Sequence, residues 1–399
     1  MINMKKIILS LILLLTLSGC WNYNELNEFS IVSGVAVDKS GDEYEMSVLI
    51  SNSPKSNSSD SNSSESQVVV YSGKGESIFS ALKQIGLISP SELYFGSFSV
   101  LVISEEVAKD GINNAIDFFV RYPSARKNFY VVLSKDSKAK DTLKIMSPLS
   151  SFPSQQITDN VKTTTELQGI ISSTNFNDLL STILSDGTEL SINCIEIIGD
   201  IEEGSSKENI ESSEPKTYTK LGNIGIFKDD KLVDWANREE SLGINIINGE
   251  TKEMFLDIEY KDGYVVIDST SFSSDVSVEL KNEEPKVNIG LSGEARIIEV
   301  EGDIDLKDSK VIEEIQKKTN KKIKKRVQEA IDLAIKHKTD IFGFGQMFYQ
   351  KYPKYFNKEK ENWNKNLDKL EININSDLML KNKVSSKNSL EEINDKEKN

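Results

Sequence analysis

Cysteine and histidine are nearly missing from this chain of 399 residues, which has two cysteines, Cys20 and Cys194, and one histidine, His337. That scarcity removes the usual zinc sites, which draw on several Cys and His ligands, and any Ser/His or Cys/His dyad away from the helix that carries His337. If Cys20 is used in chemistry of its own, Cys194 has no partner within the chain and an internal disulfide is excluded. Cys194 sits in the strand-like stretch Ser191–Ile198 and reads as a buried, unreactive thiol. Long apolar runs are also scarce, and beyond the N-terminus no stretch is long enough to cross a bilayer. Positive charge is in deficit, with 48 Lys and Arg against 63 Asp and Glu and a net charge of −15. Such a chain lacks the basic footprint that nucleic acid requires, which argues against a nucleic-acid partner.

What is present begins at the N-terminus. Lys5 and Lys6 precede an apolar run from Ile7 to Leu15, broken only by Ser10, and then come Leu17-Ser18-Gly19-Cys20. A positive region, a short apolar region and small residues before a cut describe a secretory signal, here residues 1–19. The cysteine at the cut resembles a bacterial lipobox, in which the thiol receives a diacylglycerol and becomes the first residue. The competing possibility is an uncleaved anchor with an incidental Cys20. The run is too short to span a bilayer comfortably, and the residue order fits processing. Acyl chains bury methylenes at roughly 0.8 kcal/mol each, enough for stable attachment. The expected product is a lipoprotein with Cys20 as its lipidation site, held on the extracytoplasmic face of a membrane that it does not span. Loss of Lys5 and Lys6 with the leader makes it more acidic still.

The length favours more than one domain. Ile31–Asp38 and Glu43–Ile50 flank a Lys39-Ser40-Gly41-Asp42 turn, a hairpin signal. Residues 51–67 are mostly Ser and Asn and form a polar loop within the first domain. Apolar positions at helical spacing, Ile112, Ala115, Ile116 and Phe119, lie between the strand-like runs Phe98–Ile103 and Phe129–Leu133, which predicts a β-α-β unit with parallel strands. Helices are also predicted after Ser77, over Gln155–Gln168 and over Phe176–Leu184. Together these give an N-terminal mixed α/β domain over 20–201. Residues 202–215, rich in Glu, Ser and Lys, read as a linker. A C-terminal domain over 216–381 follows, built of antiparallel strands and a long helix near Asp308–His337, with a final strand Lys369–Leu380. The last residues, 382–399, read as a disordered tail. The fold class is α+β.

Chemical motifs are few. Ser80-Ala81-Leu82-Lys83 and Ser124-Ala125-Arg126-Lys127 match Ser-x-x-Lys, but neither Ser-Asp-Asn nor Lys-Thr-Gly completes a penicillin-binding type of site. Gly73-Lys74-Gly75 lacks the spacing of a phosphate loop, and the carboxylate pair Glu239-Glu240 carries little information at this composition. No enzyme, cofactor or metal site is predicted. Lys317, Lys318, Lys321, Lys322, Lys324, Lys325 and Arg326 crowd one helix. They suit either an anionic surface or an ordinary solvated helix face. Aromatics concentrate between Ile341 and Pro353, where packing against a sheet is the commoner cause.

Several blocks resemble one family. Cys20-Trp-Asn-Tyr-Asn-Glu-Leu-Asn27, Ile31-Val-Ser-Gly-Val-Ala-Val-Asp38, Leu93-Tyr-Phe-Gly96 with Val100–Glu106, and Gly225–Trp235 with Glu239-Glu-Ser241 are similar to the Ger(x)C family, the lipoprotein C subunits of spore germinant receptors. Asp340-Ile-Phe-Gly-Phe-Gly345, Tyr352-Pro353 and Asn362-Trp363 continue the likeness in the family's order. The resemblance implies a non-enzymatic α+β lipoprotein at the inner membrane of the spore, acting with two polytopic partners, the A and B subunits, in nutrient-triggered germination. It assigns nutrient detection to the assembly and not to this subunit in particular. The Ser/Asn-rich insertion and Ser97, where histidine often follows the glycine, depart from the family pattern. A substrate-binding lipoprotein of an importer is the alternative, and would need a ligand cleft between two lobes.

Overall fold

A computed structural model describes residues 29–51, 68–168 and 174–381. The predicted leader, Cys20, nearly all of the Ser/Asn-rich loop and the predicted tail lie outside the described residues.

The first sheet is built from β1 (Phe29–Ser40), β2 (Glu43–Ser51), β3 (Val68–Gly75), β4 (Glu92–Tyr94), β5 (Val100–Ser104), β6 (Tyr130–Ser134), β7 (Ser191–Ile198), β8 (Tyr218–Lys228) and β9 (Lys231–Trp235). Their order is β3-β2-β1-β5-β6-β7-β8-β9, with β4 beside the start of β1. Strands β1, β5, β6 and β7 are parallel, whereas β3, β2, β8 and β9 pair antiparallel at the two sides. The predicted β-α-β unit is present, with β5 and β6 parallel and α3 (Asn113–Arg121) in the crossover.

Helices cover both faces of this sheet. On one face α1 (Ile78–Gly86), α2 (Glu105–Asp110), α3 and α6 (Phe176–Ile183) bury Ile85, Val107, Phe119 and Phe176 against Val35, Leu101, Val131 and Leu133. On the other face α4 (Ala139–Thr142) and α5 (Pro153–Gln168) bury Leu143, Ile157 and Val161 against Ala36, Val100, Val102 and Val132. Burial on both sides explains why β5 and β6 read as continuous apolar runs and not as alternating ones.

Residues 202–215, polar enough to resemble a linker, instead contain α7 (Ile201–Gly204) and α8 (Lys207–Glu211). Asp200 caps α7 by accepting from the Glu202 and Glu203 amides. The buried Asn209 amide donates to the Met146 and Thr217 carbonyls at 2.9 Å each, tying the segment to the first sheet's helical layer. Beyond it, β8 and β9 extend the first sheet and do not enter the second, a difference from the sequence expectation. Alternation within a strand shows that it has a buried face, but not which sheet it joins.

The second sheet follows α9 (Arg238–Ile247) and comprises β10 (Phe255–Tyr260), β11 (Gly263–Lys281), β12 (Glu284–Glu301) and β13 (Glu371–Leu380), in that order. The apolar stretches Tyr264–Ile267 and Val276–Leu280 belong to one long strand, β11, paired to β12 along its length with register shifts at Val266/Ile267 and Ser269/Ser271. Asn282 and Glu283 both have positive φ at the turn into β12, the conformation that two-residue hairpin loops require. The final strand departs from the antiparallel expectation, because β13 runs parallel to β12. Helix α10 (Ser309–His337) supplies the crossover that a parallel connection needs. Helices α11 (Phe344–Lys351) and α12 (Pro353–Glu359) complete the C-terminal half.

Strand β8 serves both halves. Ile224 and Ile226 pack into the core of the second sheet and α10, while Phe227 packs into the core of the first.

Candidate functional site

The residues singled out for chemistry turn out to be structural. Ser80 Oγ donates to the Ser77 carbonyl at 2.7 Å and accepts from the Ser77 amide, completing a capping box at the start of α1, while Lys83 lies over the Phe79 ring. Lys127 Nζ donates to the Phe119 and Tyr122 carbonyls at the end of α3. Glu240 closes a capping box with Asn237 at the start of α9. Glu239 pairs with the buried Arg326. Burial pushes the Cys194 thiol up to about 12, so it stays protonated and unreactive. His337 Nε2 lies 2.8 Å from Asp234 Oδ2. Among the described residues no group of three or more His, Cys, Asp or Glu side chains could hold a metal, and no helix is long and apolar enough to cross a membrane. Cys20, the one residue given a role from sequence, lies outside the described residues.

Three features remain. The first is a buried polar junction where the two halves meet. Asp340 is fully buried, and its carboxylate accepts from the amides of Phe342 (3.3 Å), Phe344 (3.1 Å) and Gly345 (2.7 Å) and from Trp363 Nε1 (2.7 Å). Burial pushes its pKa up, opposed by those four donors. The motif Asp340–Gly345 is therefore a capping device, holding the start of α11 and the indole together. Across the junction the Glu189 amide donates to the Asp340 carbonyl at 2.8 Å, and the Glu189 carboxylate accepts from the Asp229 amide (2.8 Å) and Asn364 Nδ2 (2.7 Å). Burial, and then the nearby charges of Asp229 and Asp340, raise Glu189 to about 7. A polar cavity of about 400 Å³ opens beside it, with Asp186, Thr188, Asp230 and Lys360 on its walls.

The second feature is a groove of about 600 Å³ between α1 and α3, lined by Tyr44, Phe79, Phe118, Arg121 and Tyr122. Asn114 Nδ2 donates to the Tyr44 hydroxyl at 3.0 Å in its wall, and the Phe118 and Tyr122 rings stack with centroids 5.2 Å apart. Arg121 is engaged by Asp117 one turn earlier at 2.8 Å.

The third is α10. The structure separates its basic residues into two groups. Arg326 is buried on Glu239, and Lys318 and Lys322 donate to the Glu259 and Asp257 carbonyls of β10 at 3.1 and 2.7 Å. Lys317, Lys321, Lys324 and Lys325 face away from the sheet.

Sequence reasoning did not find Glu189 or Asn364. Neither lies in a motif, and what joins them is a contact between residues 175 positions apart.

Comparison with known proteins agrees with this architecture. Residues 22–197 match the spore germination protein N-terminal domain, and residues 222–383 match the spore germination B3/GerAC-like C-terminal domain. Spore germination protein KC of Bacillus subtilis is 27% identical over 390 residues, covering 94% of this chain and 96% of that protein. Spore germination protein GerQC of Bacillus cereus is 21% identical, covering 94% of this chain and 98% of that protein. The crystal structure of the GerBC protein has the same fold, with a TM-score of 0.51 at 14% identity over 90% of this chain and 100% of that one. With both domains present in order and the fold shared along its length, this chain belongs to the Ger(x)C family of spore germination proteins.

Proposed function

We propose that this protein is the lipid-anchored subunit of a nutrient germinant receptor. It sits on the extracytoplasmic face of the spore inner membrane and works by contact with the A and B integral-membrane subunits. The observation that carries this reading is the match of both spore germination domains, in order, across residues 22–383. The lipobox-like Leu17-Ser18-Gly19-Cys20 supplies the means of attachment. The role is one of binding, and Ser80, Lys127, Glu239 and Glu240, which matched or flanked chemical motifs, are engaged in caps, carbonyl contacts and an ion pair.

The importer alternative requires two lobes that close on a ligand. Strand β8 contributes to both cores, which weighs against independent lobes. Deleting the gene in a sporulating host and following dipicolinate release with candidate nutrients tests the assignment. Loss of response to one nutrient group, with germination by a non-nutrient trigger intact, is the expected result. Normal germination with impaired uptake of a solute would replace it with the importer reading.

A further inference from the structure

We infer that the outward face of α10, carrying Lys317, Lys321, Lys324 and Lys325, is the surface this protein lays on anionic lipid headgroups. The inference rests on the anchored reading above and adds which way the anchored body faces.

Every other side of this part of α10 is occupied. Ile315, Thr319, Ile323 and Val327 are buried in the core. On one flank Lys318 and Lys322 donate to β10 carbonyls. On the other flank Gln316 Oε1 accepts from the Leu380 amide at 2.9 Å, and Asn320 Oδ1 accepts from the Leu378 amide at 2.8 Å. Since β10 and β13 are the two edges of the sheet, α10 closes both. What is left is the outer stripe. Its lysines fall at spacings of four, three and one along the helix, within about 12 Å of axis at 1.5 Å per residue.

Charge makes this stripe unlike the rest of the molecule. The chain carries −15 overall. Acidic partners are abundant, yet Lys317, Lys321 and Lys324 form no ion pair among the described residues, and Lys325 has only Glu329 at 3.5 Å on its own helix. An acidic body held beside an anionic bilayer turns its negative surface away and this concentrated basic face inward. The tether permits that turn, because the nine peptide steps from Cys20 to Phe29 reach at most roughly 30 Å. The stripe has no aromatic or apolar residues, so contact is with headgroups and leaves the acyl region untouched.

The test uses mature full-length protein from spore membranes, reconstituted into vesicles of phosphatidylcholine alone or mixed with phosphatidylglycerol, with amine-reactive labelling of each lysine read by mass spectrometry. Labelling of the four stripe lysines is expected to slow several-fold in the mixed vesicles only. It should recover as salt rises from about 0.1 to 1 M and screening shortens from roughly 10 to 3 Å. Lys74 and Lys83, on β3 and α1, act as internal controls. The K317Q/K321Q/K324Q/K325Q variant should remain on both kinds of vesicle through its anchor but lose the lipid-dependent change in orientation, read by labelling of Lys310 and Lys336 at the helix ends. Equal labelling of the stripe in both vesicles overturns the inference. So does protection that appears only when other spore-membrane proteins are added, which would assign the face to an acidic protein. Protein that leaves phosphatidylcholine vesicles but binds mixed ones through the four lysines would refute the anchor and retain the basic face.

Discussion

Gly187 and Gly345 meet backbone to backbone across the junction between the two halves. A Cβ on Gly345 would lie 2.7 Å from the Gly187 carbonyl oxygen, and one on Gly187 would lie 2.8 Å from the Gly345 carbonyl carbon. The Gln346 amide donates to that same Gly187 carbonyl at 3.2 Å, and Gly187 has φ +80°. The contact therefore requires glycine on both sides. Gly345→Ala should lower stability by about 1–3 kcal/mol, the usual cost of overpacking where backbone cannot move aside. Gly187→Ala should cost at least as much, since it adds a left-handed backbone to the clash. Urea unfolding of both variants checks this, and wild-type midpoints would show that the junction can open.

Trp363→Phe keeps most of the ring packing against Phe348 and Phe356 but removes a donor from a fully buried carboxylate. Asp340 would keep three amide donors in a site with no access to water. The expected loss is about 1–3 kcal/mol. Asp340→Asn alone should cost more than Trp363→Phe, because its Nδ2 group, itself a donor, would face the Gly345 or Phe344 amide, and the two losses should not add, since both act on one carboxylate. A double-mutant cycle on unfolding free energy reads that coupling.

Glu189 gives stability a definite pH dependence. Its folded pKa, about 7, stands above the ordinary glutamate value, so the folded state holds a proton that the unfolded chain releases. Stability from this group is full below about pH 4.5 and is lost as pH rises through 7. Asp38, raised to about 6 mainly by burial, acts in the same direction over a lower range. Glu189→Gln should flatten the fall in melting temperature between pH 4 and pH 7.5, two conditions about 0.5 units outside that window. An unchanged slope would place the titration elsewhere.

The anchored reading makes Cys20→Ala the decisive substitution. The variant is expected in the soluble fraction of disrupted spores, with a slower nutrient response. Full membrane retention together with normal germination would remove Cys20 from any role.

Much of the architecture is legible in the sequence wherever one period dominates. The stripe Val311, Ile315, Val327, Ile331 and Ala334 marks α10 almost to its ends, and the runs in β5 and β6 with the helical spacing between them mark the parallel β-α-β unit. Helix α9 is not legible, because its buried face includes Ser241, Gly243 and Asn245 and so carries no clear apolar period. Gly243 is needed there for approach to the Arg326 carbonyl of α10. The direction of β13 is hidden for another reason, since alternation is the same for parallel and antiparallel neighbours. In the candidate site, Asp340–Gly345 stands out as a block of likeness. Its work as a cap depends on Trp363 and Glu189, which only the folded chain brings beside it.

Strand β8 has a practical consequence for exchanging parts between family members. A crossover at 202–215, the place that composition suggests, would pair a donor β7 with a foreign β8 and set foreign Phe227 into the first core. A crossover at Ala236–Asn237, after β9 and before the capping box of α9, keeps the first sheet intact. The mismatch then falls on Ile224, Ile226 and Ala236 and on the junction of Gly187 and Glu189 with Asp340, Gly345 and Asn364, which the two parents must share. Chimeras cut there inherit one parent's whole first sheet and the other's basic helix, so the contribution of each half to germination can be assayed separately.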